Sequence, residues 1–253
     1  AFIKATRAMA ATLNAPTADG YVFRTDLRLR PDPSVTPVCI SMAAAERYYE
    51  AEGRTWERSA YIKARPAAGD VAAGARFLDG LVPFVWRKRL DFATVAETMD
   101  MRQRIRDHKG LHDRALEGRN LKLGPGGIRE IEFFAQTRQL VAGGRNRALR
   151  QPRTVKALQA LARADWITRD EAGTLADHYT ALREVEHRLQ MIDDAQTHSL
   201  PKHAEGFDRL ARLSGSADTV AYRAALQARL DAVEGSTGTL YRTAPATPMP
   251  DVP

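Results

Sequence analysis

Apolar positions alternate with period two in one stretch of the chain and recur every three to four residues through most of the rest. In Tyr21–Arg30, Tyr21, Phe23, Thr25, Leu27 and Leu29 point one way and Val22, Arg24, Asp26, Arg28 and Arg30 the other, which predicts a strand. Pro31 and Pro33 end it, and Pro37–Met42 supplies a short second strand. The helical period predicts Phe2–Leu13, Ser41–Glu52, Thr55–Arg65, Val82–Leu90, Ala93–His108, Ile128–Val141, Thr154–Ala164, Arg169–Ala195, Gly206–Leu213 and Thr219–Val233. The order, two strands and then many helices, is an α+β arrangement: a sheet fragment in one unit, followed by a helical bundle. A polar, glycine-containing stretch at 109–127 separates a first unit, 1–108, from a bundle, 119–234, and the Gly/Ser/Thr/Pro mixture at 235–253 reads as a disordered tail. The first helix has no N-cap, a start expected of a piece of a longer polypeptide.

Composition narrows this picture only slightly. At 253 residues and 44% hydrophobic content the chain is long enough to bury a substantial core, and no apolar run reaches the roughly 20 residues that span a bilayer. No signal peptide is recognisable, so a cytoplasmic location is the expectation. Cys39, the only cysteine, reads as a packing residue in a strand, and no Cys/His cluster has zinc spacing. A net charge of +7 favours an acidic partner, but the arginines read as dispersed over solvated helix faces. Aromatic residues, at 7%, do not interleave with basic clusters, which argues against nucleic acid.

Chemistry concentrates in a few segments. Leu121–Gln136 opens a helix from a Gly-Pro-Gly-Gly turn, with Lys122 before it and Arg129 just inside. A helix's first N–H groups attract anions, but the same residues also serve as plain loop punctuation, so both readings stand. On the Tyr21–Arg30 strand, Asp26 lies between Arg24 and Arg28. The face is either solvated or a metal-binding carboxylate beside phosphate-binding arginines. Lys63 and Arg65 sit before Pro66, where cations suit a helix C-terminus and equally suit phosphate. Trp56 reads as core. Arg129, Glu132 and Gln136 share one helix face, and Arg183, Glu186 and Gln190 repeat the spacing on another, as packing ladders or as support for phosphate chemistry. His187 reads as structural, and neither a Walker A run, a nucleophile elbow nor a His-Glu-x-x-His pair is present.

Four segments carry a resemblance. Asp26-Leu27-Arg28-Leu29-Arg30-Pro31 resembles the third-carboxylate strand of polymerase-β-like nucleotidyltransferases, and more narrowly of the glutamine synthetase adenylyltransferase family. Gly53–Pro66, Lys122–Phe133 and Glu186–Gln190 resemble that family's further motifs, in the same order. Gly-Gly-Ile-Arg-Glu-Ile-Glu-Phe at 126–133 is closer to the adenylyl-removing half, which removes AMP from a tyrosine of glutamine synthetase by phosphorolysis and releases ADP, than to the half that attaches it. The resemblance implies a truncated nucleotidyltransferase sheet, Mg²⁺ on Asp26, catalytic roles for Asp26 and Glu132, and phosphate or nucleotide contacts from Arg28, Arg30, Lys63, Arg65, Lys122 and Arg129. It implies ATP, ADP and phosphate as substrates, with glutamine synthetase and the nitrogen-signalling PII protein as partners. The family's Gly-Ser turn and Asp-x-Asp pair do not precede Asp26, so a chain with this sequence alone is expected to be inactive. The alternative is a non-catalytic helical module that binds those protein partners.

Overall fold

The computed structural model describes residues 1–88, 96, 100, 103, 104, 107, 108, 110–192 and 195–242, with side chains in the last helix described through 238. The chain divides into two compact units, Ala1–Trp86 and Arg87–Pro253. The expected helix Ala93–His108 lies largely outside the described residues.

The first unit holds α1 (Phe2–Asn14), α2 (Met42–Ala51), α3 (Thr55–Tyr61), α4 (Val71–Gly80) and α5 (Val82–Val85). Ser41 caps α2 by accepting from Ala44 N, and Glu57 accepts from Arg54 N at 2.8 Å at the start of α3. A small aromatic core joins them: the Tyr49 ring lies 4.9 Å from Tyr61 and 5.2 Å from Phe84, centroid to centroid. Arg58 is fully buried, its Nε and Nη2 each 3.2 Å from the Val85 carbonyl, which ties α3 to the end of α5. Helix α4 is not among the elements expected from the sequence. Asp70 caps it, accepting from Ala73 N, and Gly74 lets it pass close to Pro66, since a Cβ there would lie 2.8 Å from that ring.

The two expected strands are not formed among the described residues, where residues 21–40 are irregular. A strand needs a ladder partner for its N–H and C=O groups, and here those groups are satisfied locally. Asp26 Oδ1 accepts from Arg28 N at 2.9 Å, and Arg30 donates to the carbonyls of Leu27, Pro33 and Thr36. Cys39 is accordingly half-buried in an irregular segment rather than packed in a strand. Trp56 is half-buried and outside the aromatic core.

The second unit is a helical bundle of α6 (Ile128–Ala142), α7 (Thr154–Arg163), α8 (Arg169–Ile192), α9 (Ala204–Leu213) and α10 (Thr219–Arg242). Helix α6 is the central element: Ile128, Ile131, Phe134 and Leu140 are fully buried, and so is most of its polar side. Leu158, Leu161, Leu175, Leu182, Phe207 and Leu230 close around it. The unit begins before the expected boundary at 109–127 because Leu116 and Leu121 of that stretch belong to this core. Helix α10 also runs past the expected end at Val233, so residues 235–242 are helical, and 243–253 lie outside the described residues. The extension is anchored by Thr237, whose buried hydroxyl donates to Glu130 Oε2 at 2.9 Å. Among the described residues, no helix is long and apolar enough to cross a membrane.

Candidate functional site

The glycine-rich turn before α6 is built for close packing. Gly126 adopts φ +67°, and a Cβ there would fall 1.9 Å from the Leu230 carbonyl oxygen, so α10 rests directly on the turn's backbone. Asn120 Oδ1 accepts from Lys122 N and Leu123 N, and the buried Arg119 donates to Pro125 O. The N–H groups expected to attract an anion are already used. Gly126 N donates to Glu130 Oε1, Gly127 N to Gly124 O, Ile128 N to Leu121 O and Arg129 N to Lys122 O, all within 2.9–3.0 Å. With Gly124 to Gly127 buried as well, the turn offers an anion no backbone donors, and of the two readings the sequence left open the structural one applies.

The polar side chains beyond the turn are differently placed. Glu132, buried on α6, accepts from Arg129 Nη1 at 3.1 Å and from Tyr179 Oη, on α8, at 3.4 Å. The Arg129 guanidinium also lies 5.4 Å from the Phe133 ring centroid. One turn further along α8, Arg183 Nη1 pairs with Glu186 Oε2 at 2.9 Å. Glu186 Oε1 in turn stands 2.8 Å from His198 Nδ1, a close approach that is not aligned as a hydrogen bond. Lys122 is close enough to His198 to act on it electrostatically: burial first, then Lys122, holds that imidazole below its ordinary pKa against the opposing pull of Glu186.

The two ladders share one design. Each carboxylate is almost fully buried, with Glu132 and Glu186 side chains 8% and 2% exposed, while the paired guanidiniums of Arg129 and Arg183 remain 39% and 36% exposed. Buried carboxylates thus hold two partly exposed arginines at the surface, the residue type best matched to an oxyanion. Lys122, Arg129 and Glu132 are therefore gathered in one region, joined by Tyr179, Arg183, Glu186 and His198. His198 and Tyr179 were missed: neither belongs to a periodic polar face, and only the tertiary fold brings them to these carboxylates. His187 is exposed, its Nε2 3.4 Å from Arg183 Nη2, and is not a packed structural histidine.

The remaining candidates lie in the first unit. Both Asp26 oxygens are engaged by Arg28, whose Nε is 3.0 Å from each and whose Nη2 is 2.6 Å from Oδ2. These hydrogen bonds lower the Asp26 pKa to about 2, so the carboxylate is ionised but occupied. Among the described residues no group of three or more His, Cys, Asp or Glu side chains is arranged to hold a metal ion, and Asp26 with its oxygens taken does not fit Mg²⁺ by itself. Arg30 spends its Nη donors on backbone carbonyls and shapes the loop, contrary to the phosphate role expected of it. Lys63 and Arg65 are exposed just past the end of α3, where the chain tightens as Lys63 N donates to Ala60 O.

Comparison with known proteins adds to this geometry. Residues 1–80 match the family model described as glutamate-ammonia ligase adenylyltransferase, and residues 99–242 match the one described as GlnD PII-uridylyltransferase. The interval between the two models contains the boundary between the two units, at Trp86 and Arg87. The chain is 52% identical over 244 residues to a bifunctional glutamine synthetase adenylyltransferase/adenylyl-removing enzyme of Mesorhizobium japonicum, covering 96% of this chain and 25% of that protein. Relatives of the same description from Bradyrhizobium diazoefficiens and Brucella melitensis are 52% and 50% identical, over 95% and 96% of this chain and 24% and 25% of their own lengths. The chain spans about a quarter of the length of the curated relatives it matches.

Proposed function

The chain belongs to the family of bifunctional glutamine synthetase adenylyltransferase/adenylyl-removing enzymes, and we propose that it contributes to the adenylyl-removing half, as part of its nucleotidyltransferase domain and the helical domain that follows. The observation that carries this reading is the pair of buried carboxylates holding Arg129 and Arg183 at the surface near Lys122. Phosphorolysis brings an anionic phosphate against an anionic phosphodiester, so cations fixed in advance are what such a reaction requires of its protein. In the proposed reaction an oxygen of inorganic phosphate attacks the phosphorus of the adenylyl group. The bond from that phosphorus to the tyrosine oxygen breaks, the tyrosine oxygen takes a proton, and ADP leaves.

In the second unit Lys122 and Arg129 contact phosphate in this reading; in the first unit, taken by itself, Arg28, Lys63 and Arg65 are the proposed nucleotide contacts. Glu132 is a positioning residue, since its oxygens accept from Arg129 and Tyr179. Asp26 remains the candidate carboxylate of a nucleotidyltransferase sheet in this reading. Glutamine synthetase is the proposed protein substrate, and PII a proposed regulator. The full occupancy of Asp26 by Arg28 favours a second reading, a helical module that binds glutamine synthetase without catalysing.

Replacing the corresponding quarter of the Mesorhizobium japonicum enzyme with this chain separates the two. The chimera should release ADP from adenylylated glutamine synthetase in the presence of phosphate, and the chain alone should not. Arg129→Gln should raise the KM for phosphate more than it lowers kcat, and Asp26→Asn should abolish turnover. A chimera that stays active with Asp26→Asn supports the binding module instead.

A further inference from the structure

The positive charge of this chain is not dispersed as its sequence first suggests. Between Glu132 and Asp165 there are seven basic residues and no acidic one, and outside that interval basic and acidic residues balance, so it contains the whole net charge of +7. The fold keeps most of this charge together. Arg145, Arg147, Arg153 and Lys156 are exposed on the connection from α6 to α7 and the first turn of α7. Gly144 lets the Arg87 backbone approach, a Cβ there falling 1.8 Å from its carbonyl oxygen, and Arg145 Nε donates to Lys88 O at 3.0 Å. The exposed Arg87 and Lys88 thereby join the same face.

This face is rigid. Gln139, 1% exposed on α6, donates to the carbonyls of Leu149 and Gln151 at 2.6 and 2.8 Å, and Leu149 is fully buried. Asn146 caps the short turn Arg147–Leu149, and Arg150 Nε donates to Gly143 O at 2.8 Å. Arg147, Arg153 and Lys156 make no ion pair with any described residue. Burial and the charge of Arg147 also pull the Arg150 pKa below the ordinary guanidinium value, a sign of like charges held close.

The arrangement works against local stability. Helix α7 has no acidic residue in its first turn, and Arg153 and Lys156 stand at its positive end, where acidic side chains are the stabilising choice. Arg147, Arg153 and Lys156, held on a fixed surface without an ion pair to any described residue, await counter-charges from outside. We propose that this face docks a protein surface rich in carboxylates. Arginine forks match carboxylates two donors to two oxygens, and the exposed Ala148 and Pro152 between them suit a close protein contact. No aromatic side chain lies between Gly143 and Asp165 to stack on a nucleobase, which disfavours a nucleic acid.

The test uses the whole chain and a fluorescein-labelled deca-glutamate peptide as the probe, read by anisotropy. The triple variant Arg147→Gln, Arg153→Gln, Lys156→Gln should bind at least about tenfold more weakly. The control triple Lys202→Gln, Arg209→Gln, Arg212→Gln removes the same charge elsewhere and should bind as the parent does. Unchanged circular dichroism and melting temperature confirm that all three proteins are folded, and carbodiimide crosslinking of the peptide should map to Lys156 or Lys88. Equal weakening by both triples overturns the proposal, because the attraction would then be that of any basic chain. A thymidine decanucleotide that binds more tightly than the peptide, and loses that binding in the first triple, also overturns it in favour of nucleic acid.

Discussion

His198 and His178 give the molecule a defined acid sensitivity. Burial is the main cause that depresses each imidazole below its ordinary pKa, with Lys122 acting further on His198 and Arg229 on His178. The unfolded chain therefore binds protons that the folded chain excludes, and stability rises with pH wherever this difference exists. The sign follows: the contribution is complete above the unfolded value of 6.5 and is lost as pH falls below it through the depressed value of the folded state. Urea unfolding at a series of pH values should show the midpoint falling from pH 7 toward pH 5, and the double variant His178→Gln, His198→Gln should flatten that fall. A slope that survives both replacements would assign the acid sensitivity to other groups. Arg229 Nη1 lies 2.8 Å from His178 Nδ1, so the neutral ring with its lone pair on that nitrogen is the form this contact selects.

At the level of elements, the junction of α6 and α10 depends on one buried carboxylate. Glu130 accepts from Gly126 N at 3.0 Å and from Thr237 Oγ1 at 2.9 Å, so it joins the glycine turn to the last helix. Thr237→Val keeps the side chain's shape but removes the hydroxyl that a buried carboxyl oxygen accepts from, and should cost about 1–3 kcal/mol in chemical denaturation. Thr237→Ser, which restores the donor, should recover most of that loss. This junction also shows what periodicity can and cannot reveal. The apolar stripe Ile128, Ile131, Phe134 and Ala135 was legible because burial follows the 3.6-residue repeat, and Leu182, Val185 and Leu189 on α8 likewise. The burial of Glu130, Glu132, Gln136 and Gln139 was not, since a central helix is covered on most sides and its polar residues are kept there by partners that include groups far away in sequence, such as Thr237 and Tyr179. The same limit applies to Tyr21–Arg30, whose alternation is that of a strand although among the described residues it forms no ladder, only single bonds such as Phe23 N to Leu13 O. It applies too to Gly235 and Gly238, helix breakers by composition that α10 carries because Thr237 is anchored. At the candidate site, Arg129 with Glu132 and Arg183 with Glu186 were legible from spacing, whereas Tyr179 and His198 required the packed bundle.

At the level of the whole molecule, the two units differ in how much each has to hold it together. The second has a continuous core that runs from Leu116 to Val233 and includes a central helix buried over most of its surface. In the first, the core cluster is limited to Ala45, Tyr49 and Leu81 with a few partly buried neighbours, and α1 has no buried residue, leaving Phe2 82% and Met9 53% exposed. Buried apolar area sets most of the stability of a unit, so the first should unfold at the lower temperature. Differential scanning calorimetry is then expected to resolve two transitions, and a variant in one unit should move only its own. Gly126→Ala is the sharpest probe of the upper one. It forces a side chain into a left-handed backbone and against the Leu230 carbonyl, a combination worth at least about 3 kcal/mol. Gly53→Ala probes the lower one, because its Cβ would lie 2.4 Å from the Phe84 ring in the aromatic cluster. If both variants shift both transitions together, the two units unfold as one cooperative body. Independent shifts would establish that Trp86 and Arg87 mark a boundary between separately stable folds.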